Sequence, residues 1–163
     1  MHIIRVSSQH SFTSLMELKS PAFEHGQVIP QQYTCLGANI NPPLHFVNVP
    51  PGTKSLVLIV EDTDATPRPW THWMLFNIPA LTTAIHENTI PAGATEGLAN
   101  NHSFGYEGPC PKYFSGTHHY WFRAYALSEV LELPATAERE EVEKAMQPFI
   151  LDQAALMGLC TAE

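Results

Sequence analysis

Asp62-Thr63-Asp64-Ala65-Thr66 sets two carboxylates two residues apart, directly after the most apolar run of the chain, Leu56-Val57-Leu58-Ile59-Val60. A carboxylate at the end of a buried strand belongs at a pocket mouth, because an ionised group buried without a partner is costly. Three chemistries use such a pair. With magnesium, Asp62 would attack a phosphoryl group and Asp64 would act as general acid. With His72, His118 and Cys110, an Asp would complete a set of ligand types that suits zinc. Beside His72 and His118 alone, the carboxylates would fix the imidazole tautomers and favour their charged form, which makes an anion receptor. The plain alternative is a turn, since Asp and Thr cap turns through their side chains and Pro67 and Pro69 follow.

A second segment, Gly105-Tyr106-Glu107-Gly108-Pro109-Cys110-Pro111, leads to His118-His119-Tyr120. Its glycines and prolines fix a loop whose amides could cradle an anion, or simply make a rigid turn. In the turn reading Tyr120 and Trp70 are core aromatics. Cys110, flanked by prolines, reads as a buried, inert thiol rather than a reactive one. Spacing separates the three chemistries. The run into Asp62-Thr63-Asp64-Ala65-Thr66 imitates the start of the haloacid-dehalogenase phosphatases, but a new strand follows almost at once and no later acidic pair follows a second buried strand. No two zinc-type residues have ligand spacing within one element. Anion binding without catalysis is therefore the leading reading, with no cofactor and no metal; the phosphatase and the metal-binding module are its alternatives.

These residues need strands to hold them. Lys54–Asp62 is the strongest strand, with apolar residues consecutive enough for burial on both faces. Thr71–Ile78 is a second, and His119–Leu127 a third, aromatic-rich and alternating. Gln27–Pro30 and Leu44–Val49 are short extended segments bounded by proline or glycine. Only the C-terminal part reads as helix. Thr136 offers a cap and Glu138, Glu140 and Glu141 suit the positive end of the dipole. Val142, Met146, Phe149, Ile150, Ala154 and Met157 follow helical spacing, and Pro148 predicts a break into two short helices near Gln147. Strands first and helices last give a mainly β domain with a helical end piece.

The 163 residues fit one domain, and fourteen prolines argue against a mainly helical protein. Sixteen acidic residues against eight basic ones leave a net charge of −8, with no basic run, so nucleic acid is not an expected partner. Any anion must be held by local geometry. No stretch approaches the ~20 apolar residues of a membrane span, and residues 1–15 lack a signal-type apolar run, so integral membrane contact is not expected. Those fifteen residues, polar around His2-Ile3-Ile4-Arg5-Val6, read as an extension ahead of a domain spanning 16–163, with Met16 as an alternative start. Cys35, Cys110 and Cys160 are odd in number and widely spaced; reduced thiols in the cytoplasm are the simpler expectation, and one disulfide plus one thiol the other.

Taken together, the segments resemble the phosphatidylethanolamine-binding protein (PEBP) family in its bacterial form, the family that includes the Raf kinase inhibitor proteins. Ser20-Pro21-Ala22-Phe23, Ile29-Pro30 and Tyr33-Thr34-Cys35 resemble its opening segment, and Asn41-Pro42-Pro43-Leu44 its SPPL stretch. Asp62-Thr63-Asp64-Ala65-Thr66 stands where the family has Asp-Pro-Asp-Ala-Pro, with Thr71-His72-Trp73 at the family spacing. Gly105-Tyr106 with Gly108-Pro109-Cys110-Pro111 resembles GYxGPCPP, and His118-His119-Tyr120 its His-Arg-Tyr. The order and spacing of these pieces, from about Met16 to Gly158, are specific although each piece alone is weak. The resemblance implies a central antiparallel sheet packed on a second sheet, with short C-terminal helices. It implies a pocket for a small phosphate- or carboxylate-bearing ligand of the phospholipid-headgroup type, lined by Asp62, Asp64, His72 and His118, with Tyr106, Gly108, Pro109 and Tyr120 as neighbours. It also implies a modulatory role toward a protein partner such as a kinase, and a homodimer. Three departures bear on the pocket. Thr63 and Thr66 replace prolines, His119 replaces an arginine and its permanent charge, and Lys112 replaces a proline, where it could compensate.

Overall fold

Leu56–Val60 lie in a strand buried along its whole length, because both of its faces carry a core. The computed structural model describes residues 14–163. The run His2–Val6 and most of the expected extension 1–15 lie outside the described residues. Of that extension Leu15 is described; it is exposed, and its carbonyl accepts a hydrogen bond from the Asn48 side chain.

Among the described residues the strands, in chain order, are β1 (Glu17–Lys19), β2 (Gln27–Val28), β3 (Leu44–Val47), β4 (Ser55–Asp62), β5 (Trp70–Pro79), β6 (Ala84–Ile85), β7 (Thr95–Glu96), β8 (Thr117–Leu127) and β9 (Ile150–Thr161), with one α-helix, α1 (Arg139–Met146), before β9. Six strands form the large sheet in the order β2-β9-β8-β4-β5-β7, and β1-β3-β6 form a small second sheet. β4 is antiparallel to β5 on one side and to β8 on the other. The fold class expected from the sequence, mainly β with two sheets and a short helical piece near the C-terminus, is the one observed.

Side-chain alternation along β4 divides two cores. Leu56, Leu58 and Val60 face the small sheet, packing with Leu18, Leu44, Phe46 and Ile85 and with Tyr120 and Phe122 of β8. Val57 and Ile59 face the other way, under Val142 and Met146 of α1. At the end of β4 the same alternation sends Asp62 to the first side and Glu61 to the second. Glu61 is buried and bonded by Arg123 Nε of β8 at 2.6 Å and by Arg139 Nη1 of α1, so the helix is tied to the sheet by charge as well as by apolar contact.

Two expectations at the C-terminus are corrected. The second helix does not exist: after a single 3₁₀ turn at Gln147–Phe149 the chain enters β9, the longest strand, paired with β8 from Thr117↔Thr161 to Leu127↔Ile150. The apolar residues Ile150, Ala154 and Met157 fall at helical spacing, but Leu156, Gly158 and Cys160, the buried ones, alternate with period two. Neighbouring β8 offers a full row of backbone partners, and tertiary pairing overrides the local pattern. The cap also moves: α1 starts at Arg139, with Glu138 and Glu141 forming a reciprocal capping box, and Thr136 lies before it.

Candidate functional site: an imidazole and carboxylate cleft

The cleft opens where β4, β5 and β8 end together, beside the loop 105–116, and has a volume of about 570 Å³. β4 delivers Asp62 as its last residue, paired with Trp70 of β5 on one side and Tyr120 of β8 on the other. His72, two residues into β5, and His118, one residue into β8, thereby reach the same cleft.

Asp62 is buried and fully engaged. Its Oδ2 lies 2.6 Å from His118 Nδ1, and its Oδ1 accepts the backbone N–H of Asp64 at 2.9 Å. A carboxylate accepts, so His118 carries a proton on Nδ1 and has Nε2 left for a ligand. The ring is stacked on Phe114, with centroids 3.8 Å apart.

His72 has a different partner. Its Nδ1 donates to the Glu107 carbonyl at 2.7 Å, and its ring meets Tyr120 edge-on at 5.2 Å. Burial holds its pKa below the ordinary histidine value, against the smaller upward pull of the Glu107 carbonyl and the Asp62 charge. The expectation that Asp62 or Asp64 would bond His72 and charge it is therefore corrected. Asp64 turns instead to His119, accepting both its backbone N–H at 2.7 Å and its Nδ1–H at 2.8 Å. Burial pushes the Asp64 carboxyl up, but these two bonds outweigh it and hold the group below its usual value. Lys112 is exposed on a 3₁₀ turn and does not line the cleft, so it does not replace the charge lost at position 119.

The loop side is built by close approach. Gly108 donates its N–H to Asn39 Oδ1 at 2.8 Å, and a Cβ there would stand 2.0 Å from the Tyr33 carbonyl oxygen. Cys35 N–H bonds the Pro109 carbonyl, Tyr106 hydroxyl bonds the Tyr33 carbonyl, and a Cys35–Cys110 disulfide closes the seam. The expected inert thiol at Cys110 is thus corrected, and the simpler expectation of reduced cysteines with it: the fold brings two Cα atoms 75 residues apart in sequence to 5.1 Å. Cys160 is the free, buried thiol. The peptide Thr66-Pro67 on the opposite rim is cis.

Of the eight residues expected at the site, the cleft is lined by Asp62, Asp64, His72, Gly108, His118 and Tyr120. Tyr106 and Pro109 are not among its lining. Tyr106 packs edge-on against Trp73 behind the loop, and Pro109 serves through its carbonyl in the seam. Tyr120 is buried, and burial together with the Asp62 charge raises its hydroxyl pKa well above the ordinary value. Sequence reading overlooked Glu107, whose carbonyl orients His72, and Phe114, which supports His118. Neither carries a sequence signal, since one acts through its backbone and the other by stacking. Trp70, a core aromatic in the turn reading, is 39% exposed at the mouth.

The alternatives meet the same geometry. Among the described residues no three His, Cys, Asp or Glu side chains stand together in a metal-holding arrangement. The strand after Asp62 is β5, antiparallel to β4, not the distant parallel strand that a haloacid-dehalogenase fold requires.

The family model described as phosphatidylethanolamine-binding protein matches residues 19–161. The chain belongs to the phosphatidylethanolamine-binding protein family. Among relatives of this chain, a UPF0098 protein of Methanothermobacter thermautotrophicus is 46% identical over 149 residues, covering 88% of this chain and 97% of its own length. A UPF0098 protein of Aquifex aeolicus is 42% identical over 151 residues, covering 90% and 88%. The crystal structure of a PEBP homologue from Chlamydia trachomatis superposes with a TM-score of 0.86 at 38% identity, over 91% of this chain and 99% of that one. E. coli YbcL, described as a member of the mammalian PEBP family, gives 0.85 at 26% identity over 92% and 100%. Among the described residues no helix is long and apolar enough to cross a membrane.

Proposed function

We propose that the cleft is a receptor for a small anion, a phosphate- or carboxylate-bearing ligand of the phospholipid-headgroup type, and that it carries out no reaction on it. The observation that carries this reading is the matched commitment of the two imidazoles: His72 and His118 each spend Nδ1 on a protein acceptor and keep Nε2 for a ligand in one cleft. Groups that would attack a substrate are held back. Cys110 is bonded to Cys35, both oxygens of Asp62 accept hydrogen bonds, and the Tyr120 hydroxyl is kept protonated.

Titration with phosphate or phosphoethanolamine, followed by the ring signals of His72 and His118 and by Trp70 fluorescence, tests it. All three shift together at millimolar ligand near about pH 6. Silence at all three removes the reading. Magnesium-dependent release of phosphate from an aryl phosphate, abolished by Asp62→Asn, would replace it with the hydrolase.

A further inference from the structure

For an anion receptor the cleft is short of positive charge. Asp62, Asp64 and Glu107 bring three carboxylates to its wall, and among the described residues no lysine or arginine lines it. Any answering charge must come from imidazole. His118 stands against its own counter-charge in Asp62, so a doubly protonated His118 only neutralises that pair. His72 is bonded to a carbonyl, which is neutral and only accepts. Its Nδ1 therefore keeps a proton in either charge state, and the neutral ring has a bare lone pair on Nε2, which repels an anion. Donation from Nε2 requires a second proton.

We propose that the cleft takes up an anion together with one proton, held on the imidazole of His72. This rests on the anion-receptor reading and adds its regulation by pH.

Charged and titratable groups from every packed element line the cleft with this ring. Asp62 and Asp64 come from the end of β4, and Tyr120 and His118 from β8. The loop supplies Glu107, whose carboxylate is bonded by Asn101, and Tyr113. The carboxylates favour the imidazolium, and burial opposes it more strongly, so the ring of the empty cleft is neutral near neutral pH. An anion arriving beside it adds the charge that reverses this balance. By reciprocity, whatever protonates the ring tightens the anion. A phosphate group can meet the same requirement by bringing its own proton, which gives a complex of the same total proton count. Sulfate brings none, and so isolates the part played by the protein.

The experiment is calorimetric titration of the whole chain with sodium sulfate between about pH 5 and about pH 8, in pairs of buffers that differ in protonation enthalpy. About one proton is taken up per sulfate above the pKa of His72, and affinity falls about tenfold per pH unit there. His72→Gln abolishes both the uptake and the slope, whereas His45→Gln, at an exposed position of β3 outside the cleft, keeps them. The wild-type His72 ring signal, read by NMR at neutral pH, moves to the imidazolium position on adding sulfate, a measurement that needs no variant to fold. Sulfate binding without proton uptake, or a slope that survives His72→Gln, overturns the proposal and leaves the receptor reading standing. No binding of sulfate, phosphate or phosphoethanolamine at any of these pH values removes both.

Discussion

Asp62 and His118 share a 2.6 Å hydrogen bond, and the same carboxylate turns its second oxygen to the backbone N–H of Asp64. The carboxylate thus dictates which nitrogen of His118 carries the proton. In Asp62→Asn the amide oxygen keeps the Asp64 N–H and the amide N–H₂ faces Nδ1 as a donor, so the tautomer inverts. Ring ¹⁵N spectra show the proton moved to Nε2, and stability falls by about 1.5–3 kcal/mol, the worth of one charged hydrogen bond. A ring still protonated at Nδ1 would contradict the assignment.

Glu61 predicts how acid weakens the fold. Burial pushes its carboxyl up, and the hydrogen bonds from Arg139 and Arg123 outweigh that and hold it below its usual value. A depressed carboxyl stabilises the fold above its unfolded pKa of about 4.3 and loses that contribution as pH falls through the folded value. Glu61→Gln, which leaves two arginines against a neutral amide, costs about 3 kcal/mol at neutral pH. Urea unfolding across pH shows the gap between variant and wild type shrinking below about pH 4.

The disulfide closes a long loop. Removing a link between residues 75 apart releases about 4 kcal/mol of chain entropy into the unfolded state. Reductant lowers the melting temperature of the wild type and leaves a Cys35→Ser/Cys110→Ser double variant unmoved. Thiol titration of the unreduced, denatured protein finds one reactive cysteine, Cys160.

Gly108→Ala tests the loop seam. The added methyl meets the Tyr33 carbonyl, the loop must retreat, and the bond to Asn39 goes with it. Stability drops by about 1–3 kcal/mol. Phosphate affinity drops as well, because the Glu107 carbonyl that orients His72 moves with the loop. Unchanged affinity would separate the seam from the cleft.

How far the sequence disclosed this molecule depended on which atoms did the work. β4 was readable because Leu56–Val60 is apolar at every position and rich in β-branched residues, which suits a strand with two covered faces. Asp62, His72 and His118 were readable as cleft residues because it is their side chains that meet there. Glu107 was not, since its carbonyl is the working group and any residue supplies one. β9 was misread because Val142 through Met157 keeps a helical rhythm past the true helix end, and the partner that makes 150–161 a strand lies some thirty residues upstream in β8. The Cys35–Cys110 pairing was invisible for the same reason of distance, and the cytoplasmic expectation that leaned on reduced thiols loses that support.

Glu61 and Asp62, neighbours on one strand, serve opposite sides of the large sheet. A slip of β4 by one residue would send Glu61 to the imidazole side and Asp62 toward the arginines, while every apolar residue behind them changed face. The shorter Asp62 would have to reach guanidinium groups now met by Glu61, and the longer Glu61 would displace the Asp64 backbone contact. Side-chain length and charge at the last two positions of the strand therefore act as a proofreading mark for the alignment of the whole sheet. That mark is placed at the mouth of the cleft, where an error of alignment would do most harm.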